Sequence, residues 1–439
     1  MNLLFKPTAY LTVASWIMSN SIEGSVFEPA AGIQTRDDIS LCKLPATELF
    51  ESEGFGSESK NQGSTSTGTL NACMIFIDFP DAVATDTVQS LYDLYIPGAP
   101  NWYSNASHGA LTLNVDMPEA KIYRMPAKSN TYGFERGLTA ETHAVYIQDA
   151  LDVVGRDISF SDYELLYIVP TKAAKVITFG PTYVNPITAP DGSIIQRTVT
   201  FGQDAPDTWG YLAMNHETGH CMGLPDLYPF DADDADLYTR GYDLMGLISC
   251  ESPVYFVWHQ WKLGWVSDDQ IRCISSLGTT THTLAPLEAQ DGIKGVVIIH
   301  DKTTAVIAEA RSKGAGSNNC GGVVVYEVHT DVDTGQGPIR TFARRPFSEA
   351  CGKSTFDSVK YGISIGVKDG NNNHYDVTVT RGGVGSSSPG SDSSVNSSSV
   401  SSSQTSSDEG SVGTGGAGHQ RASIYAVLAA LWIAVAWVT

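Results

Sequence analysis

Two histidines four residues apart, His216 and His220, flank Glu217 in the stretch NHETGHCMGLPDLY (215–228). On a helix that spacing puts both imidazoles on one face, one turn apart. There two ring nitrogens can reach a single zinc ion at about 2.0–2.1 Å. Glu217 would lie beside the metal rather than on it, placed to take a proton from an activated water and later hand one to a leaving amine. A catalytic zinc has three protein ligands and keeps one position for water, so a third ligand must arrive from elsewhere in the chain. The bare H-E-x-x-H string also arises by chance in polar helices, so the surrounding residues have to decide.

They favour zinc. Gly223 suits a helix stop, and Asp226 then stands where metzincin-type enzymes carry a third histidine or aspartate; by that likeness Asp226 is the third ligand. YDLMG, with Met245, is similar to the methionine turn of the same group, which gives the metal an apolar floor without ligating it. Together HETGHCMGLPDLY, YDLMG and VWHQWKLGW resemble the immune inhibitor A family of secreted zinc metallopeptidases. The upstream stretches MIFIDFPD, NWYSNASHGALTLNV and YELLYIVP are similar to that family's early strands. The resemblance spans residues 71–265 and continues more weakly through AVIAEAR and GGVVVYEVHT. It implies His216, His220 and a third acidic ligand for zinc, with Glu217 as the base.

Other chemistry-bearing residues have weaker patterns. Tyr242, three residues before Met245, is a candidate oxyanion stabiliser, with core packing as the alternative. Asp231, Asp233, Asp234 and Asp236 in DADDADLY offer hard oxygen ligands to Ca2+, but their spacing is not that of an EF-hand and a solvated acidic loop competes. Cys42 reads as half of a structural disulfide, or as a thiolate blocking the zinc in a latent form. Cys221 is placed to pin its helix through a disulfide to a loop such as that of Cys250. His259 reads as a packing or hydrogen-bonding residue of an aromatic helix.

The elements that must position these residues interleave. LNACMIFIDFPD is a buried-strand pattern, ALTLNVDMPEAKIYRMP alternates like strands, ETHAVYIQDALDVV has helical spacing, and ELLYIVP returns to a strand. The metal helix is predicted to open with Asp207 as N-cap and to end at Gly223. PVYFVWHQWKLGWV reads as a further helix. Beyond it come short apolar runs separated by turns: THTLAPL, GVVIIHD, TAVIAEAR, GGVVVYEVHT and HYDVTVTRGG. The expectation is an α+β fold: a zincin or metzincin-like catalytic domain (70–268) with a mixed sheet and active-site helix, then a small all-β, sandwich-like domain (269–384).

Composition sets the context. With 48 acidic against 27 basic residues the net charge is -21, and no basic cluster forms, which excludes nucleic acid as a partner. Lys6, the apolar run 9–18 and small residues up to Ser21 read as a secretory signal peptide, residues 1–21. Residues 22–69 read as a pro-segment or flexible arm, and the serine-rich 385–412 as a stalk. Small residues, a polar spacer and the closing apolar run make 413–439 a GPI-anchor signal, with Gly413, Gly415 or Ser411 as the attachment point. Asn105 and Asn396 lie in glycosylation sequons, and 7 cysteines in an exported chain should mostly pair. The expected function is a cell-surface, zinc-dependent endopeptidase acting on proteins or peptides and held at the membrane by lipid. The alternative is a catalytically silent GPI-anchored adhesion or binding protein on a zincin fold.

Overall fold

The computed structural model describes residues 38–56, 63–134, 138–248, 254–313 and 320–382. The expected signal peptide, stalk and anchor signal, with Cys250, Asn396, Ser411, Gly413 and Gly415, lie outside them.

In chain order, β1 (Gly68–Asp78) leads through α1 (Val88–Tyr92) and α2 (Gly98–Ala106) to β2 (Leu111–Asp116) and β3 (Ile122–Arg124). Helix α3 (Ala140–Val154) returns the chain to β4 (Leu165–Pro170). Short strands β5 (Thr182–Tyr183), β6 (Ile187–Thr188), β7 (Ile194–Ile195) and β8 (Arg197–Thr200) precede α4 (Tyr211–Cys221) and α5 (Val257–Lys262). The main sheet runs β2-β1-β4-β8-β5, with β3 also on β1. Its pairs are parallel except at the edge, where β5 runs antiparallel to β8.

A central parallel strand is covered on both faces, which is why β1 reads as a nearly continuous apolar run. Leu70, Ala72, Met74 and Phe76 face the core shared with α2 and α4. The alternate residues Cys73, Ile75 and Ile77 face α3. Helix α3 starts where the periodicity places it, with a reciprocal Thr139–Thr142 capping box.

The second half supplies β9 (Ile271–Ile274), β10 (Gly278–Leu284), β11 (Gly295–Ile299), β12 (Thr304–Arg311), β13 (Gly322–His329), β14 (Ile339–Thr341), β15 (Thr355–Ser358), β16 (Ile363–Asp369) and β17 (Tyr375–Arg381). They form two sheets, β14-β13-β12-β11-β9 and β10-β17-β16-β15. Between the sheets lie Val296, Ile298, Val325, Ile365 and Val377, an all-β sandwich. The other face of the five-stranded sheet is not exposed: Ala305, Ile307, Val324 and Tyr326 join the core of the first half. The boundary at 268/269 therefore marks a change of pattern, while one core runs across it.

That face also carries a buried ion pair, Glu309 with Arg311. Glu309 accepts the Val257 amide at 2.6 Å and the Tyr326 hydroxyl at 2.8 Å, and Arg311 donates to the Tyr242 carbonyl at 2.9 Å. Glu309 and Asp243 take the amide protons of Val257 and Phe256, which fixes where α5 begins. The helix covers six residues, less than the 253–266 stretch suggests, since the chain leaves it at Leu263 and Gly264 follows at φ 80°.

The segment expected to be a flexible arm departs most from expectation. Over 38–56 it is built into the core: Cys42 and Leu44 are buried, and Cys42 is bonded to Cys273. The disulfide excludes the zinc-blocking thiolate reading of Cys42. A second disulfide joins Cys320 to Cys351; among the described residues Cys221, expected to pair, is a buried free thiol, and so is Cys73.

Candidate metal centre

The helix that carries His216 and His220 starts later than Asp207. Residues Ala205–Trp209 form a separate π-helical turn capped by Asp204, and Gly210 at φ 56° breaks the chain before α4. A side chain is strained in that region, so the N-terminal boundary is set by glycine rather than by a polar cap. The C-terminal boundary is as expected: Gly223 at φ 85° ends the helix, and Leu224 N returns to the Gly219 carbonyl at 3.1 Å.

Beyond that turn the chain brings Asp226 back onto α4. Asp226 Oδ1 lies 3.1 Å from His216 Nε2 and 3.2 Å from His220 Nε2. Among the described residues these three are the group of histidine, cysteine and acidic side chains close enough to share an ion. Each imidazole is turned the same way: His216 Nδ1 lies 3.0 Å from the Leu244 carbonyl and His220 Nδ1 2.8 Å from the Leu224 carbonyl. Only an N–H can donate to a carbonyl, so with Nδ1 donating both Nε2 atoms are left as acceptors that could bind a metal.

Three acceptor atoms thus converge in a buried place. Protons on both Nε2 atoms would satisfy them by putting two imidazoliums on one carboxylate; a divalent cation satisfies all three at once. The spacing fits the cation, because ligands at about 2.0–2.1 Å around a tetrahedral zinc stand roughly 3.3 Å apart. The charges on these groups depend on one another. Burial works against charge on Asp226, yet His220 and His216 hold its carboxyl below the usual carboxylate range. Burial likewise opposes charge on His220, but Asp226, then Glu51 and Glu217, raise it well above its ordinary value.

Glu217 is buried beside this group. Thr182 Oγ1, on the edge strand β5, stands 2.8 Å from its carboxylate and 2.8 Å from its backbone carbonyl. Burial raises the carboxyl above its ordinary value, the two histidines pull it down, and Asp226 pushes it further up. Asp204 feels Glu217 in turn and is pushed up to about 7, chiefly by burial.

Beneath the helix, Met245 is fully buried and its turn is held by Asp243, whose carboxylate accepts the Met245 amide at 2.7 Å. Leu227 N donates to the Met245 carbonyl at 2.9 Å, so one turn supports both the His216 side and the Asp226 segment. The β-sandwich contributes as well. Thr334 Oγ1 accepts the Asp226 amide at 2.9 Å, and Gly335 N donates to the Asp226 carbonyl at 2.9 Å.

The remaining sequence candidates fall elsewhere. Tyr242 is fully buried, with its hydroxyl 3.4 Å from the Arg344 carbonyl, the core-packing alternative for that residue. The DADDADLY carboxylates do not converge on a cation position among the described residues; Asp234 pairs with Arg240 and Asp236 with Arg344. Asn105 is exposed near the end of α2. His259 is fully buried away from the metal group, between Glu53 and Asp243.

Several neighbours have no local signal in the sequence. Glu51 Oε1 reaches to 3.8 Å from His220 Nδ1, and Thr182 arrives from a strand 35 residues before Glu217. Tyr228 was within reach of pattern reading, two residues after Asp226: its ring lies 6.2 Å from that of His216, and burial, then Asp226 and Glu217, keep its phenol protonated. No protein-family model matches the chain, and no curated protein matches it.

Proposed function

We propose that the chain is a zinc-dependent endopeptidase of the immune inhibitor A type, on a metzincin-like fold, exported and held at a cell surface by a GPI lipid. The observation that carries this reading is the convergence of His216 Nε2 and His220 Nε2 on Asp226 Oδ1, at 3.1 and 3.2 Å, with Glu217 buried alongside. Those three groups would hold zinc and leave a position for water. Bound there, zinc supplies a water of lowered pKa and a Lewis acid that polarises a peptide carbonyl.

The protein's own groups do the rest. Glu217 takes a proton from the attacking water as the carbon–oxygen bond forms, and returns one to the amide nitrogen as the carbon–nitrogen bond breaks. Its raised pKa makes the carboxylate a stronger base toward the water's proton. Thr182 holds the carboxylate in place from the strand edge. The Leu244 and Leu224 carbonyls hold the imidazoles by Nδ1, so that Nε2 of each would face the metal.

The β-sandwich serves the centre by holding the Asp226 segment through Thr334 and Gly335. The export and anchoring parts of the proposal rest on the sequence of the termini. Casein digestion tests the enzyme reading: cleavage that a chelator stops and added zinc restores is expected, and cleavage indifferent to chelation would overturn it. Release from cells by a phosphatidylinositol-specific phospholipase tests the anchor.

A further inference from the structure

The N-terminal arm places a carboxylate far from its own neighbours in sequence. Glu53 is fully buried, with its two carboxylate oxygens 2.9 and 3.1 Å from His259 Nε2. On the opposite side of the ring, His259 Nδ1 lies 2.9 Å from Asp243 Oδ2. All three side chains are sealed from solvent. A buried carboxylate–imidazole–carboxylate row is costly unless it is well paired, and removing one member leaves the others short of a partner. The row is joined to the backbone as well, since the Trp258 indole donates to the Glu53 carbonyl at 2.8 Å.

What the row ends on gives it a role. Asp243 Oδ2 accepts the Phe256 amide at 2.6 Å, and its Oδ1 accepts the Met245 amide at 2.7 Å. Its backbone carbonyl accepts from Gly246 at 3.0 Å. Asp243 therefore clamps the tight turn through Leu244 and Met245. From that turn the Leu244 carbonyl orients His216, and the Met245 carbonyl holds Leu227 next to Asp226. The steps run from the arm to a ligand of the proposed metal through hydrogen bonds, except that His259 Nδ1 and Asp243 Oδ2 meet at 2.9 Å as an ion pair without hydrogen-bond geometry.

We propose that Glu53 is a positioning residue of the metal centre, acting through His259 and Asp243 on the Leu244–Met245 turn. The arm then completes the site, and the Cys42–Cys273 disulfide keeps it there. This rests on the reading of His216, His220 and Asp226 as zinc ligands. A row that served stability alone would make no difference to zinc affinity in folded protein; a row that positions His216 would.

The test is zinc affinity of the full-length protein, by chelator competition at a temperature where every variant is folded without metal. Glu53→Gln keeps the shape and removes the charge, and should bind zinc about tenfold more weakly, at the lower end of what outer-shell partners are worth. Ser52→Ala, which removes the hydroxyl bound to the Thr330 carbonyl on the same arm, should lower thermal stability and leave zinc affinity within about twofold of wild type. Equal zinc affinity in Glu53→Gln and wild type overturns the inference. If Glu53→Gln does not fold, Glu53→Asp, which retains the charge but draws it back, makes the same comparison with the same two outcomes. A wild type that binds no zinc overturns the functional reading and this inference with it; a wild type that binds while the Glu53 variants bind equally well overturns the inference alone.

Discussion

Met245 Sδ fills the space that a side chain on Gly219 would need: a Cβ built there would lie 2.5 Å from the sulfur and 2.9 Å from the Tyr255 hydroxyl oxygen. The glycine between the two histidines is thus the point where the Met245 turn packs against α4. Gly219→Ala gains about 1 kcal/mol of helix propensity but overpacks the contact, at about 1–3 kcal/mol. The expected outcome is a lower melting temperature and weaker zinc binding. A variant stabilised by about 1 kcal/mol would show that the turn can yield without cost.

Asp226→Ala removes the acceptor on which both Nε2 atoms converge. Two imidazoles alone are a poor zinc site, so metal content should fall from one equivalent to near zero after dialysis against a weak chelator. Metal content equal to wild type would mean that another residue is the third ligand.

His259 makes stability depend on pH. Burial lowers its pKa, but Glu53 and then Asp243 outweigh burial and bring it up to about 9 from an ordinary 6.5. The folded protein holds this proton more tightly than the unfolded chain does. The contribution is therefore full below about pH 6.5, amounts to at most about 3 kcal/mol, and is lost as pH rises through about 9. Denaturant titrations across that range should show wild-type stability falling relative to His259→Gln; parallel curves would mean that His259 is not the group responsible.

The Cys42–Cys273 disulfide closes a loop with a sequence separation of 231. Cys42→Ser should cost about 2–5 kcal/mol of stability, read from the denaturant midpoint at constant slope. A loss below about 1 kcal/mol would show that the arm is held by its buried contacts alone.

The sequence made the local parts of the centre legible. His216, Glu217 and His220 share a face because the helical repeat is fixed, and Gly223 could be read as a stop because few other residues tolerate its backbone conformation. The start of α4 was misplaced because Gly210 and the π-helical turn break the pattern without breaking the apolar spacing. Partners joined over long separations left no such trace. Glu53 meets His259 across 206 residues and Thr334 meets Asp226 across 108, and nothing in either local pattern asks for the other. Strands β14 and β15 escaped for a different reason: they are short, and IRT and TFDS each place one residue in the core, too few to show a period.

Hydrolysis of casein by zinc-loaded Glu217→Gln tests whether Glu217 is the base of a zinc peptidase. Glutamine fills the same space and keeps a contact to Thr182, but cannot carry the proton from water to the leaving amine. The variant should retain one zinc per chain and lose about 100- to 10,000-fold in rate. Hydrolysis at the wild-type rate, with zinc bound, would contradict it.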